Sequence, residues 1–380
     1  MIQGIVYLVG GGPGDPELLT VKGLRCLKKC EVVIYDALIN PMILEDCPPA
    51  SEKIFVGKRR HRHTFEQNEI NELMLKRARE GKSVCRLKGG DPFLFGRGGE
   101  EAEFLFKHGI PFEIIPGISS VIGISTAVGI PLTHRDYASH VTIVTGSGAQ
   151  KEEDPDQWKP YHYLEKKTLV ILMGFAHTEA TIQRLLSLGW PEKTPLAMIC
   201  SGTWPCQIVI DGTLNNFTHK AKKFEALLSA PAMLVVGEVV SLRNRISPQA
   251  VEFDFLPLSQ LKIHEGTLPE RVQRIKEELR SAEKVLTPLW IERNHSIVLN
   301  GHHRLAAFKE LKLDLAPCLL LDYSSPYLEV QVCEEASIQW IDKKAVLKAA
   351  LDCQPFPPRS SFHLLKFNPP QFETPLFLLK

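Results

Sequence analysis

An α/β fold of two subdomains, followed by a smaller α+β unit, is predicted by the order of hydrophobic patterns along the 380-residue chain. Strand-like and helix-like patterns alternate from the first residue to about residue 115, as a parallel sheet requires. Pro116 and Gly117 interrupt the alternation, and a second series of strand patterns runs to about residue 245. Beyond residue 250 the pattern changes again. The sequence therefore predicts a domain at 1–245, with subdomains 1–115 and 116–245, and a domain at 250–380.

The first element is a strand at 5–9 that leads into the glycine-rich segment 10–16, a helix pattern at 18–29 and a strand that ends at Asp36. This order is typical of a dinucleotide fingerprint, but Asp15 occupies the third glycine position of that fingerprint. Pro13 also lacks the backbone donor that a pyrophosphate would use, and a carboxylate repels phosphate. The segment therefore favours a nucleoside-like ligand without phosphates.

A second binding loop is predicted at 88–101, where five glycines, two cations and three carboxylates occur together. A strand pattern at 83–87 precedes the loop and a helix pattern at 100–108 follows it. The loop therefore lies at the carboxyl end of a strand, where open α/β sheets bind their ligands. An ordinary turn would not explain an aspartate held between two glycines and a proline.

Later elements follow the same reasoning. Strands are predicted at 141–145, 169–173, 196–200, 233–236 and 253–256, and a helix at 269–279. The segment 151–167 is interpreted as an exposed insertion. Gly301 to Arg304 is predicted to form a strand-to-helix turn, because apolar residues recur at helical spacing after it. The tail 355–380 is expected to wrap the third unit.

Composition excludes several classes of protein. A net charge of +1 argues against a general nucleic-acid binder, and no apolar run approaches the roughly 18 residues of a membrane span. Nine cysteines without a Cys-x-x-Cys pair, and a start without a signal peptide, favour the cytoplasm. Cys26, Cys30, His302 and His303 are interpreted as core or turn residues, so no metal site is predicted.

Seven segments together resemble the uroporphyrinogen-III C-methyltransferases, which are tetrapyrrole methylases. They lie at 6–20, 57–59, 86–101, 116–120, 129–135, 172–174 and 231–240. The resemblance implies two α/β subdomains with a cofactor cleft between them, usually in a homodimer. It also implies that two molecules of S-adenosylmethionine (SAM) convert uroporphyrinogen III to precorrin-2, on the way to siroheme or cobalamin.

The resemblance also assigns roles to single positions. Asp36 matches the family's proton acceptor and Lys58 its proton donor; the alternative for Asp36 is a strand-end residue that caps a loop. For Met173 the alternative to a cofactor contact is a core position. The positions that match cofactor-contacting residues are Pro13, Gly89, Gly90, Asp91, Leu94, Ser119, Ser120, Met173, Gly202 and Ala232.

A basic run at 58–63 is interpreted as a substrate-binding segment. Most charge runs are solvated faces, but uroporphyrinogen carries eight carboxylates, and cations beside a cleft would steer and hold such a polyanion. Arg59 and Arg60 within this run, together with Arg97 and Arg135, are the predicted substrate-binding residues.

The segments 256–258, 263–265, 299–304 and 357–363 resemble the ParB-related free serine kinases, which implies an α+β ParB/sulfiredoxin-like domain. Glu265 matches the catalytic base, and Gly301, His302, His303 and Arg304 are predicted to hold a nucleotide, ATP or ADP with Mg. Asn300 stands where an Asp is usual, and Phe362 where a basic residue would hold the carboxylate of L-serine.

Three functions remain open on the sequence. The first is a methyltransferase joined to a free serine kinase, and the second is a methyltransferase joined to a non-catalytic module that senses nucleotide or serine. The third, a nicotinamide oxidoreductase, is disfavoured by the incomplete glycine fingerprint.

Overall fold

A computed structural model describes residues 4–57, 65–146, 159–246, 252–334, 336–366 and 374–380. By their contacts, the residues divide into two compact units. The first unit comprises 1–127 together with 201–204, and the second comprises 128–200 and 205–380. The predicted domain limits at 115 and 250 stay predictions.

The first unit is built on a five-stranded sheet in the order β3-β2-β4-β1-β5. Its strands are β1 (Val6–Gly10), β2 (Val32–Tyr35), β3 (Glu52–Phe55), β4 (Val84–Lys88) and β5 (Phe112–Ile115). All four neighbouring pairs are parallel. The alternation of strand and helix patterns therefore predicted this sheet correctly, and its carboxyl edge lies where the two glycine-rich segments begin.

Helices cover both faces of this sheet. They are α1 (Val21–Leu27), α2 (Gln67–Arg79), α3 (Gly98–Lys107) and α4 (Ser120–Ala127). Alternate residues of the strands face opposite sides, so one apolar cluster includes Met74 of α2 and Leu105 of α3, and the other includes Leu27 of α1. Helix α1 is shorter than the predicted 18–29, because Thr20 accepts a hydrogen bond from Gly23 N and caps its start.

The second unit begins with a mixed sheet in the order β6-β7-β10-β8-β9. Its strands are β6 (His140–Thr145), β7 (Lys167–Leu172), β8 (Pro195–Cys200), β9 (Ile208–Thr213) and β10 (Ala232–Val236), with helices α5 (Thr178–Ser187), α6 (Phe217–Lys222) and α7 (Arg243–Ile246). β6 and β7 are parallel, whereas β10 runs antiparallel to both β7 and β8. β9, which the sequence analysis missed, pairs antiparallel with β8.

The rest of the second unit is α+β, with a four-stranded sheet in the order β11-β15-β13-β14 and the two-stranded pairs β12-β18 and β16-β17. The strands are β11 (Glu252–Pro257), β12 (Lys284–Val285), β13 (Leu289–Glu292), β14 (Ile297–Asn300), β15 (Leu315–Leu321), β16 (Leu328–Val332), β17 (Ser361–Leu365) and β18 (Thr374–Pro375). The helices are α8 (Pro269–Ala282), α9 (His302–Glu310) and α10 (Lys343–Leu351). The predicted strand at 253–256, helix at 269–279 and strand-to-helix turn at 301–304 are confirmed.

The C-terminal tail contributes to this core, as expected for a segment that wraps it. β18 pairs with β12, and Leu379 is fully buried in the cluster that contains Leu305 and Phe308 of α9. Residues 367–373 of the tail lie outside the described ranges.

One hydrophobic core joins the mixed sheet to the α+β part. Phe217 and Phe224 belong to the same buried cluster as Phe253 of β11 and Leu319 of β15. The ring centroids of Phe224 lie 5.8 Å from Phe253 and 5.7 Å from Phe255, distances at which aromatic side chains attract one another. The α+β part therefore shares its core with the sheet before it.

Replacing Phe224 with Ala should lower the free energy of unfolding by about 3–5 kcal/mol, because a fully packed aromatic ring is removed from this shared core. Hydrogen exchange should accelerate in β9 and also in β11 and β15, on both sides of the ring. Urea denaturation and amide exchange of the full chain measure the two effects. The matched control is Phe106→Ala, because the Phe106 side chain is 77% exposed and should contribute little. Faster exchange confined to β9 would show that the two parts do not share a cooperative core.

Candidate functional site

Three glycine-containing loops pack against one another at the carboxyl ends of β1, β4 and β5. Gly12 N donates to Gly90 O at 3.2 Å, and Gly90 N donates to Gly12 O at 2.7 Å. A Cβ atom on Gly10 would lie 2.5 Å from the Cα of Gly117, and one on Gly117 would lie 2.2 Å from the carbonyl oxygen of Gly90. Any side chain at these positions would collide with backbone. The loops are therefore packed backbone to backbone, and no side chain projects from these positions.

The carboxylate of Asp91 accepts hydrogen bonds from two of these loops. Its Oδ1 accepts hydrogen bonds from the backbone N–H of Phe93 at 2.8 Å and of Leu94 at 3.3 Å. Its Oδ2 accepts from Gly117 N at 3.1 Å. The carboxylate thus links the loop after β4 to the loop after β5, a structural role that sequence reasoning did not find. Its predicted contact with a cofactor stays a prediction.

The segment 201–204 completes the first unit at this edge. A Cβ on Gly202 would lie 2.5 Å from Ile124 of α4, and Thr203 Oγ1 accepts a hydrogen bond from Asp15 N at 3.1 Å. The indole Nε1 of Trp204 fills the space where a Cβ on Gly14 would lie. The predicted residue Gly202 is thus brought beside the first glycine-rich loop from 190 positions away. Thr203 and Trp204 carry no sequence pattern that could have revealed these contacts.

Other predicted cofactor residues lie around the start of α4. Pro13 contacts Gly123, where an added Cβ would lie 2.9 Å from the proline ring. Ser119 is buried, and its hydroxyl accepts a hydrogen bond from Val121 N at 3.3 Å. Ser120 is the first residue of the helix. These side chains, like Gly89 and Gly90, therefore belong to one edge of the first sheet.

Asp36, the predicted proton acceptor, follows β2 and is part of a buried ion cluster with Arg86, Lys88 and Glu101. Arg86 Nη2 donates to Asp36 Oδ1 at 2.7 Å, and Arg86 Nε donates to Glu101 Oε1 at 3.1 Å. Lys88 Nζ donates to the same Glu101 oxygen at 2.9 Å. Burial opposes the charge of Arg86, but the two carboxylates prevail and raise its pKa. Burial and the adjacent Arg86 lower the pKa of Lys88. Asp36 is thus held by an ion pair with Arg86. The alternative interpretation, an aspartate that caps a loop at the end of a strand, did not predict this pair.

The arginine and lysine residues that were predicted to bind or protonate the substrate lie in different parts of the chain. Arg97 donates to both carboxylate oxygens of Glu100, at 2.9 Å and 2.6 Å, on the exposed surface of the first unit. Arg135 is exposed in the second unit. Lys58, Arg59 and Arg60 lie outside the described residues, so their roles stay predictions.

Two predicted cofactor residues belong to the second unit. Met173 follows β7 with a side chain that is 58% exposed, so the alternative of a core position is wrong. Its backbone adopts a left-handed φ of 56°, a strained conformation that occurs often at functional sites. Ala232 is the first residue of β10 and pairs with Cys200. Gly146 and Gly174 approach closely after β6 and β7, where a Cβ on Gly146 would lie 2.4 Å from the Cα of Gly174.

A polar cluster in the α+β part surrounds Glu265, the predicted base. Glu265 Oε1 accepts from Arg359 N at 2.9 Å, and Oε2 accepts from the N–H and hydroxyl of Ser361 at 2.8 Å and 2.9 Å. The hydroxyl of Ser361 also lies 2.7 Å from His264 Nε2. His264 Nδ1 lies 2.8 Å from Val298 O, and burial lowers the pKa of this ring. Both oxygens of Glu265 therefore anchor the turn before β17.

The predicted nucleotide-binding turn is folded as expected, but its side chains bond within the protein. Gly301 has a left-handed φ of 107° and begins α9. His302 is buried and packs against His264, with ring centroids 4.5 Å apart. His303 Nε2 accepts from Leu268 N at 3.0 Å. Arg304 donates to the carbonyl oxygens of Thr287 and Pro288 and to Asn300 Oδ1. All three side chains thus contact other parts of the protein, and the binding of a nucleotide by this turn stays a prediction.

Two kinds of site are not seen in the part of the chain that the structure covers. Within it, no three His, Cys, Asp or Glu side chains are grouped so as to hold a metal ion. None of the helices in the same ranges combines the length and the apolar composition needed to cross a bilayer.

In a comparison with known protein families, residues 5–218 match the tetrapyrrole (corrin/porphyrin) methylases. A siroheme synthase of Acinetobacter baylyi is 49% identical over 245 residues, which is 64% of this chain and 52% of that protein. The chain therefore spans about half the length of that relative. A uroporphyrinogen-III C-methyltransferase of Methanocaldococcus jannaschii is 49% identical over 244 residues, 63% of this chain and 98% of that protein. The uroporphyrin-III C-methyltransferase of Thermus thermophilus complexed with S-adenosyl homocysteine has a TM-score of 0.52 and 39% identity, and covers 63% of this chain and 100% of its own.

Replacing Gly117 with Ala should lower the free energy of unfolding by about 1–3 kcal/mol, because the new methyl group meets the backbone oxygen of Gly90 and forces the loops apart. Thermal or urea denaturation of the full chain measures the loss. Gly99→Ala is the matched control, since a Cβ there has no atom within 4 Å and Gly99 lies in α3. The control should be as stable as the natural chain or slightly more stable. Equal stability of the Gly117 variant would mean that the loops do not need their close packing.

Proposed function

Because the chain belongs to the tetrapyrrole (corrin/porphyrin) methylases, we propose that residues 1–245 are a SAM-dependent uroporphyrinogen-III C-methyltransferase that makes precorrin-2, for siroheme or cobalamin. The observation that carries this proposal is the packed backbone edge formed by Gly10, Gly90 and Gly117. The names of the relatives in M. jannaschii and T. thermophilus support the choice of substrate and cofactor.

The residues at this edge fit SAM. A nucleoside needs close contact with main chain. Gly90 leaves room for such contact, because the nearest atom to a Cβ there, outside its own loop, would be Ser120 N at 3.6 Å, whereas the space beside Gly10 and Gly117 is filled by the neighbouring loops. Pro13 and the nearby Asp15 disfavour a pyrophosphate, which SAM lacks. The residues of the first unit that would hold the cofactor are Pro13, Gly89, Gly90, Asp91, Leu94, Ser119, Ser120 and Gly202. Met173 and Ala232, which the resemblance also assigns to the cofactor, stay predictions. Bound SAM supplies an electrophilic methyl group, so the protein's main task is to hold the pyrrole carbon in line with it.

Asp36 is proposed as the proton acceptor, because a pyrrole carbon that gains a methyl group requires the later loss of a proton from the ring system. Its side chain is 29% exposed, so a substrate can reach it. Arg86 holds Oδ1, and across the described ranges Oδ2 has no hydrogen-bond partner. One oxygen is thus fixed while the other is available to take the proton. Lys58 is proposed as the proton donor.

The substrate carboxylates would be bound by Arg59, Arg60, Arg97 and Arg135. Arg97 is held by Glu100 and would have to exchange that partner for a substrate carboxylate, which a bidentate guanidinium can do without losing an ion pair. A homodimer in the cytoplasm is part of the same proposal.

Full-length protein incubated with SAM and enzymatically generated uroporphyrinogen III should give a product with two added methyl groups, detected by mass spectrometry. Asp36→Asn should slow turnover by roughly 100-fold, the scale of a lost acid–base group, and leave the Kd for SAM within about twofold. Asp46→Asn is the matched control, because Asp46 forms a surface pair with Lys28. An unmethylated substrate would refute the function, whereas equal losses of binding and turnover in Asp36→Asn would make Asp36 a cofactor-binding residue.

For residues 250–380 we propose a module that binds a nucleotide or L-serine, in preference to an active free serine kinase. The supporting observation is the bonding of Glu265, whose two oxygens are both occupied by Arg359 and Ser361. A general base must reach the hydroxyl that it deprotonates, but Glu265 is only 5% exposed and its hydrogen bonds are made to the protein's own N–H and O–H groups. The backbone N–H groups at the start of α9 would contact phosphate, since the turn's side chains are engaged elsewhere.

Calorimetry of the full-length chain with ATP or ADP, each with Mg, and with L-serine tests this module. Binding should be seen without formation of phosphoserine, and Glu265→Gln should leave the nucleotide affinity within about twofold because the base is not a phosphate ligand. Phosphoserine that appears with the natural chain and disappears with Glu265→Gln would establish the kinase instead. Failure to bind any of the three ligands would refute both alternatives.

A further inference from the structure

The central strand of the first sheet carries two cations on an otherwise apolar face. In register, Arg86 of β4 lies between Leu8 of β1 and Ile34 of β2, both fully buried. Arg86 is 2% exposed and Lys88 is 3% exposed. Apolar side chains of similar volume would pack at least as well there, because removing two charges from water costs several kcal/mol per ion. The cations therefore call for an explanation other than stability.

Hydrogen bonds fix Arg86 completely. Nε is bound by Glu101, Nη2 by Asp36, and Nη1 lies 3.4 Å from the carbonyl oxygens of Ile34 and Leu87. Such a guanidinium has one orientation, because its planar fork is satisfied on every side.

Glu101 is fixed in turn. It is fully buried, and its Oε1 accepts from Arg86 Nε, from Lys88 Nζ at 2.9 Å and from Gln67 Nε2 at 3.1 Å. The cluster thus extends from a rigid interior, where Lys88 and Gln67 hold Glu101, to a half-buried carboxylate at the edge of the sheet. Asp36 is the member that solvent or substrate can reach.

We propose that Arg86 is a positioning residue for methyl transfer, which holds Oδ1 of Asp36 so that Oδ2 faces the substrate. This inference rests on the proposed function, since it takes Asp36 as the proton acceptor. In that step a C–H bond of the methylated ring system breaks, its electron pair stays in the ring system, and the proton forms an O–H bond at Asp36 Oδ2. Arg86 touches no reacting atom, and it acts through the orientation of Asp36.

Arg86→Lys tests this role, because an ammonium group keeps the charge but cannot reach two carboxylates with a fixed fork. Single-turnover methylation should slow by about 100-fold, the scale of a misplaced catalytic group. The KM for uroporphyrinogen III and the Kd for SAM should stay within about twofold. Arg77→Lys is the matched control, because Arg77 also bonds two carboxylates, Glu52 and Glu80, but away from Asp36. Its rate should equal that of the natural chain.

The double variant Asp36→Asn with Arg86→Lys separates positioning from a merely structural role. If Arg86 acts through Asp36, the double variant should be no slower than Asp36→Asn alone. Losses that multiply would overturn the proposal, because Arg86 would then act independently of Asp36.

Glu101→Gln provides a second variant if Arg86→Lys does not fold. It keeps the size and the Oε1 acceptor of Glu101 but loosens its hold on Arg86, so the rate should fall about 10-fold, and this fall should also vanish in the Asp36→Asn background. An unchanged rate in Glu101→Gln would likewise overturn the proposal. A natural chain that binds SAM but methylates nothing would refute the proposed function and this inference together, whereas multiplying losses in an active enzyme refute the inference alone.

Discussion

The close packing of three backbone segments at the carboxyl edge of the first sheet is the constraint on which the rest of the first unit depends. Gly10, Gly90 and Gly117 come so near one another that a Cβ on Gly10 or on Gly117 would collide with the backbone of a neighbouring loop. Gly10 ends β1, and Gly90 and Gly117 lie two residues beyond β4 and β5, which are the neighbours of β1 in the sheet. Strand order therefore brings the three glycines together. Asp91 then fastens two of the loops through three backbone N–H groups. A ligand at this edge meets main chain that is already held in place, and little conformational entropy is lost on binding.

The same strand that supplies the second glycine loop also supplies the buried ion cluster. Residues of β4 alternate between the two faces, so Arg86 and Lys88 point to the side that α2 and α3 cover, and Cys85 and Leu87 to the other. The loop and the cluster are therefore both anchored by one strand. This explains why a sheet with a large apolar interior tolerates two buried cations: both are paired, and their partners Glu101 and Asp36 bring the local charge close to zero.

Local sequence determined much of this architecture, and long-range contacts determined the rest. The alternation of patterns predicted the parallel sheet, and glycine at Gly301 predicted a turn that does adopt a left-handed φ. β9 was missed because its apolar run comprises only Ile208, Val209 and Ile210 and is followed by Asp211 and Gly212. The contact of Thr203 with Asp15 spans 188 positions, and no periodic pattern reports such a pair. Arg304 donates to the backbone carbonyl oxygens of Thr287 and Pro288. Every residue has such a carbonyl, so the residue types in the sequence could not indicate these partners.

The shared core gives the α+β part a thermodynamic connection to the sheet that carries Met173 and Ala232. Phe224, Phe253 and Phe255 pack as one aromatic group, and Leu299, Leu319 and Val346 join the same buried cluster as Leu169 and Leu234. A ligand that binds only the folded state stabilises whatever unfolds together with its site. Binding to residues 250–380 would therefore also stabilise β7 and β10, and this needs no change in shape. Fusion through a common core thus couples the stability of the two parts more strongly than a flexible linker could, because a linker transmits no packing energy.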